Sequence, residues 1–395
     1  MNERFPIFDH ALPYDPSTDG ATSESFEAFL KRAPAKWVVY LLTDERDQPM
    51  QLLCVKNLRY SLKRRLGGGE QIIGPTRRVD YRSIVRNVYW RRVDSAFEAD
   101  LVYLEAARDL FPQTYRGMLG FRPAWFIHVN PHTTFPRYIK TFNLTGQTGT
   151  YFGPLEDKHT AQRLVHLIES VFDLCRDYSI LIQSPSGGPC PWKQMDKCVG
   201  PCDGTISLHE YGQIVNFSAE VLADPAPHLA CETQRMKDAA AELRFETAAK
   251  IKQNIDQLSQ LGKGPFRHVR PLRDFRFLSL QRGPLAGTAK LFLITPGQIR
   301  EIAGLIDMPA NPSDLLRWIL HLAESAVSQL DEIGAERIGV VAHQLFIAKH
   351  RHGVFLPLAD LQDRTLAKAY RDLQNQKPPE TPEESEGVTK ELQAM

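Results

Sequence analysis

Residues 37–55, WVVYLLTDERDQPMQLLCV, contain two apolar runs separated by a polar turn. Trp37 to Leu42 is rich in β-branched and aromatic residues, and Gln51 to Val55 repeats that character after the turn. Such runs, bounded by turn residues, are typical of two strands joined in a β-hairpin. We therefore predict that this hairpin opens the first core domain of the chain.

Helical periodicity follows the hairpin. The segments Leu58 to Leu66 and Ser95 to Leu110 carry apolar residues at helical spacing, and they stop at the glycines 67–69 and at Pro112. Together with the hairpin they predict a small α/β domain over residues 35–150. The residues before it, 1–34, lack a sustained period and are rich in Pro, Asp, Ser and Thr, so we expect an extension that packs loosely.

The rest of the chain divides into four predicted parts. An amphipathic helix over 160–174 leads into a cysteine-rich region, assigned to 151–230, and two helices broken at Arg244-Phe245 predict a helical hairpin over 231–262. Strands at 275–280, 290–294 and 337–341 around a helix at 314–330 predict a C-terminal α/β unit over 265–376. The tail 377–395 is rich in Pro and Glu, so we expect it to be disordered. The predicted fold class is α/β.

Composition narrows the class of protein. The chain has 395 residues, 43% of them hydrophobic and 24% charged, with a formal net charge of +1. That length suits two or three domains with separate cores, and any charge signal must be local. No run of eighteen apolar residues occurs, and the first twenty residues carry acidic residues and prolines instead of a basic and then apolar leader. We expect a cytoplasmic protein without a membrane partner.

One segment is strongly basic. Between Lys56 and Arg92 there are eleven Lys and Arg residues against Glu70 and Asp80, interleaved with Tyr and Trp. Such a surface binds a nucleic-acid backbone without sequence preference, because cations that meet phosphates release counterions. A solvated helix and loop surface is the alternative interpretation. The DNA-binding candidates are Lys56, Lys63, Arg64, Arg65, Arg77 and Arg78.

Four of the six cysteines form a cluster with the spacing C-x14-C-x7-C-x3-C: Cys175, Cys190, Cys198 and Cys202. Thiolates on a loop broken by Pro and Gly suit a soft metal centre. Structural zinc sites usually use two close cysteine pairs, and only Cys198 and Cys202 form one here. Iron–sulfur clusters tolerate wider and uneven spacing. The pattern favours iron–sulfur over zinc, with unpaired structural thiols as the remaining alternative.

Several motifs, in this order, resemble the N-terminal half of the UvrC family of excinuclease proteins and its short Cho-type relatives. Val39 to Leu42 resembles the first strand of a GIY-YIG nuclease domain, Lys56 to Arg59 its KNLR sequence, and Asp94 to Glu105 the helix that carries its metal-binding glutamate. Residues 135–137, FPR, and 151–154, YFGP, resemble the segment after that domain. The cysteine spacing matches the family pattern, and residues 236–255, MKDAAAELRFETAAKIKQNI, resemble the UVR motif.

The resemblance implies metal-assisted displacement at a DNA phosphate. It assigns catalytic roles to Tyr40, Arg59 and Glu105, with Mg or Mn on Glu105; the arginine role stays open between Arg59 and the group 63–65. It also implies a 4Fe-4S cluster on the four clustered cysteines. For binding of the excinuclease partner protein UvrB it implies the hairpin residues Met236, Leu243, Phe245 and Ile251.

The chain also departs from the family pattern. The second-strand Tyr-Val-Gly is replaced near Leu53 to Val55, the first glycine by Val38, and an expected asparagine by Arg116 or its neighbour. Two main hypotheses follow. The first is a nucleotide-excision-repair endonuclease that makes a single 3′-side incision in damaged double-stranded DNA together with UvrB. The alternative is a catalytically inactive DNA- and partner-binding homologue. A zinc-stabilised binding module unrelated to repair is a third alternative.

Overall fold

The structure is a computed structural model that describes residues 4–17, 19, 23–67, 80–285, 287–305, 312–324, 330–347 and 353–375. Its described strands are β1 (His10–Pro13), β2 (Val38–Thr43), β3 (Pro49–Val55), β4 (Asn87–Arg92), β5 (Trp125–Val129), β6 (Ile139–Thr141), β7 (Thr150–Leu155), β8 (Arg270–Pro271), β9 (Phe277–Arg282), β10 (Ala289–Thr295), β11 (Gln298–Leu305) and β12 (Gly353–Pro357).

The described α-helices are α1 (Ser23–Arg32), α2 (Leu58–Leu66), α3 (Tyr81–Ile84), α4 (Ala96–Leu110), α5 (Tyr115–Met118), α6 (Lys158–Val171), α7 (Tyr178–Leu181), α8 (Pro191–Gln194), α9 (Leu208–Ala223), α10 (Pro225–Ala241), α11 (Phe245–Leu258), α12 (Pro312–Glu324), α13 (Glu332–Phe346) and α14 (Asp363–Gln374). The fold is mixed α/β, as expected. No helix in the described ranges is long and apolar enough to cross a membrane.

The first sheet has the strand order β1-β4-β2-β3, and all its pairs are antiparallel. It contains the predicted hairpin, in which Leu41 pairs with Leu52. Successive side chains of a strand point to opposite faces. Tyr40 therefore packs with α1 and α2 on one face, whereas Leu41 packs with α4 on the other. The predicted helices α2 and α4 are confirmed, and the side chains of Asn57 and Ser95 cap them.

The amino-terminal segment is part of this sheet. β1 pairs with β4, and the side chains of Phe8, Leu12 and Tyr14 are buried. Leu12 and Tyr14 are two residues apart, so both side chains point to the same face of the extended chain. There they pack with apolar residues of α1 and α2. The expectation that residues 1–34 pack loosely is therefore wrong for the described part of that segment.

The second sheet has the order β6-β5-β7-β8, and α6 and α9 cover it. β5 pairs with β7, and β7 pairs with β8, which comes after the helical hairpin in sequence. The boundary predicted at residue 150 falls inside this sheet. α6 begins after Asp157, whose side chain accepts from Thr160 N at 2.7 Å, and it matches the predicted amphipathic helix.

The third sheet has the order β11-β10-β9-β12, with α12 and α14 on one face. β9 and β10 match predicted strands. The strand predicted at 337–341 is wrong, because these residues lie in α13. Ile338, Val341 and Leu345 are buried at helical spacing, and Asp331 caps the helix. Tertiary burial of that face overrides the strand preference of the β-branched run. Residues 325–329 and the tail 377–395 lie outside the described residues.

α10 and α11 form the predicted helical hairpin, which packs on α6 and α9. Leu243, between the two helices, has a φ of +61°. That left-handed conformation costs a β-carbon-bearing residue about 1 kcal/mol, and it reverses the chain within three residues. The hairpin therefore ends in a sharp turn, at which the Leu243 side chain is 72% exposed.

Candidate functional site

Tyr40 is the first of the predicted catalytic residues, and its side chain is completely buried. Its hydroxyl lies 2.8 Å from the hydroxyl of Ser61 on α2. Burial raises the pKa of the Tyr40 hydroxyl, and the nearby Arg65 guanidinium lowers it in part. A phenol held in this way has no access to an attacking water molecule.

Arg59, the second predicted catalytic residue, binds backbone carbonyls at the C-terminal end of α1. Its Nε donates to the carbonyls of Leu30 and Ala33, both at 3.1 Å, and its Nη2 donates to that of Lys31 at 3.4 Å. The last carbonyls of a helix lack intrahelical partners and carry partial negative charge, so a guanidinium stabilises them. Between the two arginine assignments left open by the sequence, the structure brings Arg65 close to Tyr40 and directs Arg59 elsewhere.

Glu105, the predicted metal ligand, lies on α4. Its Oε1 accepts from Arg337 Nη2 on α13 at 2.9 Å, with both side chains about 30% exposed. Because α4 packs on the face of the first sheet opposite to Tyr40, the structure does not bring Tyr40, Arg59 and Glu105 together. The catalytic roles remain predictions, and each of the three side chains has another partner.

Further ion pairs join α4 to the C-terminal unit. Lys290 on β10 contacts Glu98 at 2.6 Å and Asp94 at 3.0 Å, and none of the three side chains is more than 16% exposed. Asp100 accepts from Gln344 on α13 at 2.6 Å, and burial raises the pKa of Asp100 to about 6. Sequence reasoning missed Lys290, since a contact between residues far apart in the chain has no local signature.

Arg116, which stands near the expected asparagine, joins the same interface. Its guanidinium lies 3.4 Å from Glu332 and 3.5 Å from Glu336 at the start of α13. Tyr115 donates to Glu336 as well. The departure from the family pattern is therefore part of the contact with the C-terminal unit.

The basic segment is only partly described. Lys56, Lys63 and Arg64 are exposed, and Lys63 lies 3.7 Å from Glu27. Arg65 is 8% exposed and donates to Gln51 at 3.0 Å, so its burial removes it from a DNA-binding surface. The predicted residues 77 and 78 lie outside the described residues. Of the described candidates, Lys56, Lys63 and Arg64 are therefore the ones left accessible to a phosphate.

The four clustered cysteines are all buried and all free thiols. The Cys175 thiol contacts the Cys198 sulfur; this contact lowers the pKa of Cys198 to about 6 and raises that of Cys175. The pKa of Cys202 is raised by burial and by nearby acidic groups that include Cys190 and Cys198. The sulfurs therefore lie in one neighbourhood, on what we call the cysteine loop, residues 175–202.

Backbone hydrogen bonds hold the cysteine loop together. Gly187 N donates to Cys202 O at 2.8 Å, and Val199 N donates to Asp173 O at 3.0 Å. Within the described ranges, no group of three or more His, Cys, Asp and Glu residues has the spacing to hold a metal ion. The chemistry of the donor set, four buried sulfurs, is that of a soft metal centre.

The helical hairpin separates the four predicted partner-binding residues into two groups. Ile251 is 8% exposed and Met236 is half-buried, so both contribute to packing. Leu243 and Phe245, at the tip, are 72% and 64% exposed. Of the four predicted partner-binding residues, these two are therefore the accessible ones.

The middle of the chain is similar to a known protein family. The family model of the UvrC/Cho excinuclease middle domain matches residues 124–220. That range begins next to β5 and ends in α9, so it follows the second sheet and the cysteine loop, not the boundary predicted at 150. No solved structure matches the chain.

Curated relatives carry the name UvrABC system protein C. The protein of Vibrio cholerae serotype O1 (strain M66-2) is 28% identical over 211 residues, which is 52% of this chain and 33% of that protein. That of Methanothermobacter thermautotrophicus is 27% identical over 169 residues, 42% of this chain and 28% of that protein. That of Kocuria rhizophila is 24% identical over 292 residues, 72% of this chain and 42% of that protein. The matched regions cover less than half of each relative.

By fold, the chain is a mixed α/β protein of three antiparallel sheets, with four buried cysteines on one loop and a helical hairpin that follows β7 and α9 in the chain. The middle-domain match and the curated relatives then make the chain a relative of the UvrC family.

Proposed function

We propose that the chain is a nucleotide-excision-repair protein that binds damaged DNA and a UvrB protein, and that its GIY-YIG-like region does not cut DNA. The observation that carries the second part is the separation of Tyr40, Arg59 and Glu105. Metal-assisted displacement at phosphorus requires the metal ligand, the water-handling group and the phosphate contact to surround one reacting centre.

The partners of these side chains support the same conclusion. A metal ion at Glu105 would compete with the Arg337 guanidinium, and among the described residues no second carboxylate pairs with that arginine. The Tyr40 hydroxyl would have to leave a core position beside Ser61. Both changes would break contacts of the described arrangement, which argues against catalysis by these residues.

The cysteine loop is proposed to hold a 4Fe-4S cluster, with zinc as the alternative. Buried thiols, one of them with a lowered pKa, support a thiolate-bound centre. Bound there, the cluster would connect the loop to the second sheet's core, which contains Cys175 and Cys198. Metal analysis of anaerobically purified protein is expected to find iron, and zinc without iron would overturn this assignment.

A single 3′-side incision is the second candidate function, and the excinuclease family match favours it. The deciding assay combines the purified chain with the UvrA and UvrB proteins, a lesion-bearing duplex, and Mg or Mn. We expect no nick from the wild type. A nick that disappears in Glu105→Ala, in a variant that still binds DNA, would overturn the non-cutting proposal.

The DNA-binding part has its own test. Reversing the charge of Lys56, Lys63 and Arg64 is expected to weaken binding to any DNA duplex and to reduce the salt dependence of binding, because phosphate contacts are lost. Since these side chains are exposed, the folded protein should be retained. Equal affinity of wild type and variant would exclude this surface as a DNA contact.

A further inference from the structure

A second cationic site lies beside the cysteine loop, far in sequence from the basic segment. It is a cavity of about 330 Å³ between β6, α6 and the start of the loop. Arg137, Lys140, Glu169, Arg176 and Tyr178 are among its lining residues. Arg137 belongs to the Phe-Pro-Arg motif, for which the proposed function has no use.

The cations of this cavity are arranged by stacking and not by ion pairing. The Arg137 guanidinium lies 3.7 Å from the centre of the Tyr178 ring, and that of Arg176 lies 4.0 Å from the centre of the Trp192 ring. Lys140 donates to the neutral amide of Gln162. A guanidinium that stacks on an aromatic ring keeps its N–H groups in the ring plane available to an acceptor.

No carboxylate of the described residues lies within ion-pair distance of Arg137, Lys140 or Arg176. By contrast, Lys290 and Arg337 at the α4 interface each have such a partner. The positive charge of the three cations that line the cavity is therefore not offset by an ion pair with any described carboxylate.

Glu169 does not cancel this positive charge near neutral pH. Its burial raises the pKa of the carboxyl to about 7, although the charge of Arg176 lowers it in part. A fraction of the Glu169 side chains is therefore neutral where the three cations remain charged. An incoming anion meets a net positive cavity.

The size and shape of the cavity indicate which anion it can bind. About 330 Å³ is at the lower end of the range for small-ligand sites and much smaller than a duplex. It suits one phosphate with its sugar. Tyr178 is 40% exposed, so it also offers a surface on which a sugar or an unpaired base can lie. An Arg guanidinium can donate two parallel N–H hydrogen bonds to two oxygens of one phosphate.

We propose that this cavity binds the phosphodiester backbone of a DNA strand, through Arg137, Lys140 and Arg176, as a contact separate from the basic surface of α2. The proposal rests on the proposed function, since it assumes that the chain binds DNA. Arg176, Tyr178 and Trp192 all belong to the cysteine loop. The site therefore lies where the second sheet and that loop meet.

The test measures fluorescence anisotropy of a labelled single-stranded oligonucleotide and of a labelled duplex across a range of salt concentrations. The variant is the double substitution Arg137→Gln with Lys140→Gln. The matched control is Lys158→Gln with Arg163→Gln, which removes two charges of α6 outside the cavity. Thermal unfolding and iron content are compared for all three proteins.

We expect the cavity variant to bind at least one of the two DNA probes about tenfold more weakly than the control, and the slope of log affinity against log salt to fall by about 1.5. If the wild type binds DNA and the cavity variant matches the control, this site is wrong and the proposed function stands. If the wild type binds neither probe, both are wrong.

A third variant addresses stacking. Arg137→Lys keeps the charge but loses the planar fork over Tyr178. We expect an intermediate loss of affinity with an unchanged salt slope. Affinity equal to that of the wild type would show that the cation alone matters, which would overturn the stacked geometry as the basis of the site.

Discussion

Removing the buried cation Lys290 tests how the C-terminal unit is attached to α4. Its ammonium lies 2.6 Å from Glu98 Oε1 and 3.0 Å from Asp94 Oδ2, with side-chain exposures of 16%, 5% and 8%. Glu98 also accepts from the Asp94 N–H at 2.9 Å. Lys290→Met keeps a long apolar side chain in place and leaves the buried Glu98 carboxylate without its cation, whereas Asp94 keeps its 3.1 Å contact with Arg92 Nε.

The expected loss in free energy of unfolding is large. Breaking a buried ion pair by removing one partner costs about 3–5 kcal/mol, because a charge stays buried without compensation. The cost here comes mainly from Glu98, because Asp94 keeps Arg92 as a cation. Removing one partner of a surface ion pair would cost under about 1 kcal/mol. The measured loss therefore distinguishes a buried ion pair from a surface one.

The loss should depend on pH. Burial already raises the pKa of Glu98, and Lys290 lowers it in part. In Lys290→Met the pKa of Glu98 in the folded state rises further, so the folded protein binds a proton more tightly than the unfolded chain. The destabilisation is therefore greatest above the folded pKa, and it shrinks as the pH falls through that value towards the unfolded pKa of about 4.3.

Urea unfolding, followed by circular dichroism at several pH values, measures both quantities. The compensating variant adds Glu98→Gln, which removes the stranded charge and should recover more than half of the loss. A Lys290→Met protein within about 0.5 kcal/mol of the wild type, or one equally destabilised at all pH values, would refute the buried ion-pair argument.

Three further predictions follow from single side chains. Asp100→Asn is expected to stabilise the protein by about 1–3 kcal/mol at about pH 8 and not at about pH 4. Burial raises the folded pKa of Asp100 to about 6, so the wild type loses stability as the pH rises from the unfolded pKa of about 3.9, and the loss is complete above the folded pKa. A pH-independent difference in denaturant midpoint would contradict this. Phe245→Ala, at a 64% exposed position, should change the free energy of unfolding by less than about 0.5 kcal/mol and abolish pull-down of UvrB. Ile251→Ala, at an 8% exposed position, should instead cost about 2–4 kcal/mol of stability. Unchanged capture of UvrB by a folded Phe245→Ala protein would exclude the hairpin tip as its binding site. Gly153→Ala should lower the stability measured by thermal unfolding by about 1–3 kcal/mol, because the added Cβ would lie 2.5 Å from the Phe126 ring. A melting temperature equal to that of the wild type would show that this ring can move.

The structure bears differently on the predicted cysteine and hairpin residues and on the predicted catalytic residues. The four cysteines of the predicted cluster are all buried on one loop, whereas of the four predicted hairpin residues only Leu243 and Phe245 lie exposed at the tip. The catalytic assignment named residues by position in a motif, and Tyr40, Arg59 and Glu105 face different surroundings. A motif records spacing along the chain, but it contains no information on what packs against each side chain.

The sequence by itself determined the local elements. The hairpin at 38–55, the helices α2, α4 and α6, and the break between α10 and α11 follow from periodicity, caps and turn residues, which act over a few positions. Tertiary structure alone decided that β1 completes the first sheet and that 337–341 is helical. It also paired Glu105 with Arg337, 232 residues later. Such contacts depend on which faces the whole chain buries, and no local pattern encodes that choice.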